Sequence, residues 1–259
     1  MCRLAAYLGV PVPLGRFLFD PPHGLPRQAW APQELRYARL NADGFGVGWY
    51  GEDARPLTYI NPAPIWSDPN LTQLGRALRS GLWIGSVRSA TEGNPVSHAN
   101  TQPFRDEELL FDHNGFIEGF HTGLRARLCA ELRPEFLAAI RGNTESEHLF
   151  ALLRQMLAED TALSMERALA RLVHRVEAWN DGRVALLNIL VSDGSRIYAL
   201  RHAVADPCPS LYYNTDDELF PDGQLIASER LTESDYWQVV PEHQILILDP
   251  GRPPELVEL

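Results

Sequence analysis

Two amphipathic helical stretches stand back to back in the middle of this chain, with strand-like sequence on both sides. The first starts at Thr144, with Glu147 three residues on in the pattern of a capping box. It repeats Leu149, Leu152, Leu153, Met156 and Leu157 along one face. The second runs from Ser164 to Trp179 with Met165, Ala168, Leu169, Leu172, Val173 and Val176 on one stripe. Such stripes must be covered, and the flanking sequence supplies strands to cover them. Strand patterns occur over residues 1–8, 41–50, 82–88 and 108–113, broken at Asn114-Gly115 and resuming at Phe116-Ile117. Beyond the helices they recur at 184–191 and 196–200, a hairpin around Asp193-Gly194, and at 210–213, 224–227 and 244–248. Shorter helices are expected at 14–19 and 26–35, with helical spacing again over 70–80. Strands, a helix pair, then strands is not the alternation of β-α-β units. The expected class is α+β with mainly antiparallel sheets. No repeat, low-complexity tract or long linker interrupts it, so one domain over residues 2–259 is expected.

Glycine at 44, 46 and 48 bares one face of the strand that also carries Phe45, Val47 and Trp49. Another backbone or a ligand can approach there closely. The spacing is not that of a phosphate-binding G-x-G-x-x-G loop.

Charge narrows the partners. The 259 residues hold 23 lysines and arginines against 34 aspartates and glutamates, a net charge of −11. That balance argues against nonspecific binding to nucleic acid or anionic membrane, both polyanions. No apolar run is long enough to span a bilayer, and the N-terminus lacks a secretory signal pattern. Three cysteines, Cys2, Cys129 and Cys208, cannot build a disulfide framework, so a cytoplasmic location is expected. Metal and cofactor motifs are missing: there is no C-x-x-C, H-E-x-x-H or G-x-S-x-G. Glu145-x-x-His148 has the spacing of a di-iron ligand pair but no second copy. The eight histidines are scattered without a metal-ligand cluster, so neither a metal nor a cofactor is expected.

Cys2 follows the initiator methionine, and its removal would leave a thiol and a free α-amine on one residue. With reference pKa values near 8.5 and roughly 7.7–8.0, the two are matched for proton transfer, and the amine can serve as base for its own side chain. Taken alone, Cys2 is better explained as a small buried residue on an opening strand. Arg88, ending a strand in G-S-V-R-S-A-T, is either a structural ion-pair partner or a clamp for an α-carboxylate. Asn114 and Gly115 form either a hairpin turn or a side-chain amide and backbone N–H converging on one oxyanion.

Together these segments resemble the class II glutamine amidotransferases, which are N-terminal-nucleophile hydrolases. The resemblance rests on Cys2-Arg3, V-R-S-A-T at 87–91, N-T-Q-P-F at 100–104 and H-N-G at 113–115, in that order, with N-A-D-G-F-G-V-G-W at 41–49. It covers most of the chain, to about residue 250. Within the family the chain looks closest to the branch that hydrolyses γ-glutamyl-hercynylcysteine sulfoxide in ergothioneine biosynthesis. D-P-P-H-G-L at 20–25, Ser86 where many relatives carry histidine, and A-S-E at 227–229 point to that branch. The resemblance implies a four-layer αββα sandwich of two mainly antiparallel sheets, with Cys2 at a cleft between them. It implies Cys2 as nucleophile, and Asn114 and Gly115 as oxyanion donors. Arg88, supported by Thr91, would hold the substrate α-carboxylate. Glu145, standing where the family usually has aspartate, would hold the α-ammonium. The partner implied is a small γ-glutamyl compound; a synthase partner belongs to an alternative reading, a glutaminase subunit delivering ammonia. A quaternary ammonium in the leaving group would seek aromatic faces, and Trp30, Tyr37, Trp49, Trp66 and Phe104 lie near the early motifs.

Overall fold

A computed structural model describes residues 2–91 and 93–259 of the chain. The initiator methionine lies outside them, and so does any test of its removal. The chain opens with strand β1 (Arg3–Pro13) and two short helices, α1 (Leu14–Phe19) and α2 (Leu25–Trp30). The hairpin β2 (Phe45–Tyr50) and β3 (Pro56–Asn61) follows, then α3 (Leu71–Ala77) and β4 (Arg79–Val87). Next come β5 (Phe104–Arg105), β6 (Leu110–Ile117) and four helices: α4 (Leu124–Glu131), α5 (Pro134–Ala139), α6 (Glu145–Glu159) and α7 (Met165–Trp179). The chain ends in β7 (Ala185–Ser192), β8 (Ile197–Val204), β9 (Tyr212–Asn214), β10 (Gln224–Ala227), β11 (Gln238–Val239), β12 (Gln244–Leu248) and β13 (Glu255–Glu258).

The strands form two sheets, ordered β11-β9-β10-β1-β4-β2-β3 and β13-β12-β8-β7-β6-β5. All the pairings are antiparallel. Side-chain alternation then creates the layers. On β1, Ala5 and Tyr7 turn to α1 and α2 and join Phe17, Leu18, Leu25 and Trp83. Leu4, Ala6 and Leu8 turn the other way and meet Leu110, Leu190 and Leu246 of the second sheet. Phe111, Leu187 and Ile189 of that sheet meet Leu149, Leu153, Leu169 and Leu172 of α6 and α7. The α+β class is therefore realised as an αββα sandwich, and β1, covered on both faces, is the central strand of its sheet.

Several boundaries differ from the sequence expectation. Strand β1 continues to Pro13 rather than stopping at residue 8. The helix expected over 26–35 ends at Trp30, because Ala31 precedes Pro32 and such residues are pushed out of the α region. Leu78 is already extended, so α3 is shorter than the 70–80 pattern. The largest correction concerns Asn114-Gly115, which neither breaks β6 nor turns the chain. Asn114 pairs with Asn188 and Gly115 with Leu187 in an unbroken ladder to β7. Glycine is required there by contact: a Cβ on Gly115 would lie 1.7 Å from the Leu186 carbonyl oxygen. The bare face of β2 is filled as its pattern suggests, by backbone. A Cβ on Gly46 would lie 2.1 Å from the Gln102 carbonyl oxygen.

Candidate active site

Cys2 stands immediately ahead of the central strand, 7% exposed. Its Sγ lies 4.0 Å from the Ser89 carbonyl oxygen. Burial pushes its thiol up, and nearby Asp112 adds to this, while the Ser89 contact and Arg88 act in the opposite direction. The thiol is therefore protonated at neutral pH until a base reaches it.

Pairing of Arg3 with Val87 across β1 and β4 brings Arg88, the residue after β4, beside Cys2. The turn at Asp43 holds that segment in place. Asp43 N–H donates to the Arg88 carbonyl (2.9 Å), Arg88 N–H donates to the Gly44 carbonyl (2.8 Å), and Ala90 N–H donates to Asp43 Oδ2 (2.8 Å). The buried Arg88 guanidinium donates only to the carbonyls of Pro95 (3.3 Å) and Asn94 (3.4 Å). Among the described residues no carboxylate pairs with it.

Glu145 opens α6 and is 5% exposed. It accepts a hydrogen bond from Asn94 Nδ2 at 3.2 Å, while His121 Nε2 lies 3.0 Å from Asn94 Oδ1 and fixes the amide. Burial raises its carboxyl, partly offset by its own backbone N–H, Asn94 and Arg88. Thr144 caps this helix by accepting from Glu147 N–H at 3.3 Å. The return half of the expected capping box does not form. The Glu147 carboxylate instead accepts from Arg141 N–H (2.8 Å) and Gly142 N–H (2.7 Å).

Cys2, Arg88, Thr91, Gly115 and Glu145 line one cavity of about 20 Å³, with Thr91 exposed at its rim. A void of that size admits a water or two. A glutamyl group requires its walls to part. Asn114 is not on that wall. Its Nδ2 donates to Ser228 Oγ at 3.0 Å, and its buried Oδ1 has no partner. Turning the amide by half would let the Ser228 hydroxyl donate to Oδ1 and free the NH₂ group. Of the aromatic residues, Trp49 packs on Trp83, Trp30 lies under Arg27, and Tyr37 meets Phe116 edge-on at 5.3 Å. None of the five lines the cavity.

Sequence reasoning missed the frame around these groups. Gln102 donates to the His113 carbonyl (2.9 Å) and accepts from His113 N–H (2.8 Å), extending the β6 ladder with a side chain. The His113 ring bridges Ser146 Oγ and the Leu186 carbonyl, both at 2.9 Å, and burial holds it neutral with its pKa pushed down to about 4. On the other side of Cys2, Arg3 Nε donates to the Cys2 carbonyl (2.7 Å) and Nη1 to Glu229 (3.1 Å). Glu229 also meets His23 Nε2 (2.6 Å) and accepts from the backbone N–H groups of Gln33 and Glu34. Burial alone would raise its carboxyl, but these partners hold it below the usual range. D-P-P-H-G-L and A-S-E, some 200 residues apart, thus meet in one buried ion cluster behind the thiol.

Comparison with known proteins fixes the family. The sequence profile of the class II glutamine amidotransferases matches residues 29–213. This chain belongs to the class II glutamine amidotransferases. A gamma-glutamyl-hercynylcysteine sulfoxide hydrolase from Mycobacterium tuberculosis is 32% identical, aligned over 95% of this chain and 92% of its own. A probable glutamine amidotransferase, DUG3, of Saccharomyces cerevisiae is 29% identical, over 96% and 82% respectively. The solved structure of a class II glutamine aminotransferase domain protein from Silicibacter pomeroyi superposes with a TM-score of 0.71 at 29% identity, covering 99% of each chain. No helix among the described residues is long and apolar enough to cross a membrane.

Within this amidotransferase the Glu145-x-x-His148 pair is not a ligand set. His148 Nδ1 lies 2.7 Å from the Thr144 carbonyl and its Nε2 faces Arg125 at 3.4 Å.

Proposed function

We propose that this chain is a γ-glutamyl amide hydrolase that releases glutamate from γ-glutamyl-hercynylcysteine sulfoxide in ergothioneine biosynthesis. In this reading residues 2–259 act as a single cytoplasmic domain. The observation that carries it is the charge pattern of the Cys2 cavity. A buried guanidinium without a carboxylate partner among the described residues and a buried carboxylate share its wall with a thiol. That arrangement complements the two charges of an α-amino acid and leaves the thiol for the far end of its side chain.

Loss of Met1 would give Cys2 an α-amine that takes the thiol proton. The thiolate attacks the γ-carbonyl carbon, and the oxyanion is held by Gly115 N–H and a turned Asn114 amide. The C–N bond breaks as the amine leaves with the proton held by the α-ammonium. Water then cleaves the thioester, releasing glutamate and restoring the thiol. Arg88 takes the α-carboxylate, with Thr91 at the rim, and Glu145 the α-ammonium.

The mycobacterial relative supports the sulfoxide as substrate, and the yeast relative supports the second reading, a glutaminase working with a synthase. The two differ in where binding energy is used. A hydrolase of the bulky amide gains kcat/KM from the hercynyl part, whereas an ammonia donor favours glutamine. Purified protein beginning at Cys2 is expected to cleave the sulfoxide with a kcat/KM at least tenfold above that for glutamine. Preference for glutamine, or activity only with an added synthase, overturns the first reading in favour of the second.

A further inference from the structure

Three donor-bearing side chains from two segments converge where β8 meets β12, beside a histidine on β8 itself. Register places His202 of β8 opposite His243, the residue ahead of β12, since Arg201 pairs with Gln244. Their Nδ1 atoms face each other at 3.0 Å. Two lone pairs repel at that distance and two N–H groups collide, so a proton or a metal ion must lie between them. His243 holds its position with φ of +60°, a conformation costly for most side chains but tolerated more often by histidine. Cys208, from the loop between β8 and β9, brings its sulfur into the same place. Cys208, Glu242 and His243 each offer a ligand atom within 4.8 Å of the others. Neither the Cα spacing nor the sequence order hints at this, which is why the scattered histidines looked unclustered.

We propose that Cys208, His243 and Glu242 form a binding site for a divalent transition metal of the zinc class, with His202 positioned against His243. One thiolate, one carboxylate and one neutral imidazole are three donors of the kinds that borderline-soft Zn²⁺ accepts, and their two negative charges balance the ion. The surroundings suit this role. His202 is buried beside His243. Glu177 on α7 places Oε1 3.3 Å from His202 Nε2, behind the ring and opposite the His243 contact. Arg201 competes for Glu242, but at 3.5 Å and through Oε1 only. Binding would release the Cys208 thiol proton to solvent. The ion would tie the β8–β9 loop to the start of β12. The same loop receives Arg36 through the Pro207 carbonyl (2.7 Å) and Tyr37 through Asp206. Arg36 and Tyr37 lie just past Leu35 and the Gln33-Glu34 segment bound to Glu229, so the site would brace the cluster behind Cys2.

The test uses full-length, untagged protein stripped with a chelator and titrated with Co²⁺. One equivalent should produce thiolate-to-cobalt absorption that Zn²⁺ abolishes by displacement. The band should persist in Cys2→Ala and Cys129→Ala and vanish in Cys208→Ser, and His243→Gln should weaken binding at least tenfold. No thiolate band at saturation, or an unaltered band in Cys208→Ser, overturns the proposal. Should Cys208→Ser fail to fold, His243→Gln at the exposed strand end decides: unchanged affinity overturns it. No outcome depends on the catalytic reading, because the readout is the metal and not turnover.

Discussion

At Cys2 the fold works against the chemistry its sequence position suggests, and this sets what its neighbours must do. A buried thiol with its pKa raised is a poor nucleophile, so the proposed reaction rests on the α-amine released with Met1. Arg88 and Asn114 separate experimentally by the step at which each would act. Arg88→Ala is expected to raise KM strongly, because the substrate carboxylate loses a two-pronged partner. Asn114→Ala is expected to lower kcat by roughly 10²–10³ with little change in KM, the usual effect of losing one oxyanion donor. Steady-state kinetics on the two variants check both; an unchanged KM in Arg88→Ala would make Arg88 a structural residue held by the 94–95 carbonyls. Short motifs made most of these residues legible, since cysteine, arginine and Asn-Gly carry distinctive chemistry. Asn94, Gln102, His113 and Ser146 were not legible, because they act by bridging to backbone or to one another. Such roles need only a polar atom at the right place, and many residue types in many contexts supply one.

The helix α6 shows what is readable at the scale of an element. Its apolar stripe, its start at Thr144 and the pairing with α7 follow directly from spacing, and all are realised. The Glu147 half of the cap is not, because tertiary structure offers it two free N–H groups at 141 and 142. Thr144 also sets the position of Glu145, one residue into the helix, so the cap connects stability to the site. Thr144→Ala is expected to cost about 1 kcal/mol of unfolding free energy, the usual loss for such a cap. It should also raise KM through displacement of Glu145. Denaturant titration with parallel kinetics tests both, and a stability loss without a KM change would detach the cap from substrate binding. Elements without a stripe escaped the sequence reading. Helices α4 and α5 are short and largely exposed, and β13 is a charged edge strand that only its partner β12 defines. Asn-Gly misled for a related reason: the pair is a turn signal locally, yet here glycine answers to the Leu186 carbonyl from another strand.

Across the whole molecule, the cost of the layered architecture falls on ionisable groups trapped between its layers. The order of strands and helices in the sequence specifies the four layers, but which polar groups they enclose emerges only on assembly. His113 lies between β6 and α6, and moving its pKa from 6.5 to about 4 corresponds to about 3 kcal/mol at 1.36 kcal/mol per pKa unit. The unfolded chain binds a proton at this histidine that the folded chain refuses. Stability from this group is therefore complete above pH 6.5 and is lost as pH falls toward 4. Asp112 has the opposite sign. It sits between the two sheets, and burial drives its carboxyl well above the ordinary range despite an opposing contact with Ser86. The folded state here holds the proton more tightly, so stability rises as pH falls from the folded pKa to about 3.8 and partly masks the loss at His113. Asp112→Asn removes that opposing contribution while keeping the shape. Its melting temperature is expected to exceed that of the parent protein at pH 7.5, with the two converging as pH falls toward 4, and its loss of stability on acidification should be the steeper. Thermal denaturation at intervals between pH 8 and pH 4 provides the comparison. A variant less stable than the parent at pH 7.5 would mean that Asp112 is ionised and paired in the fold, most directly with the ammonium of a trimmed Cys2.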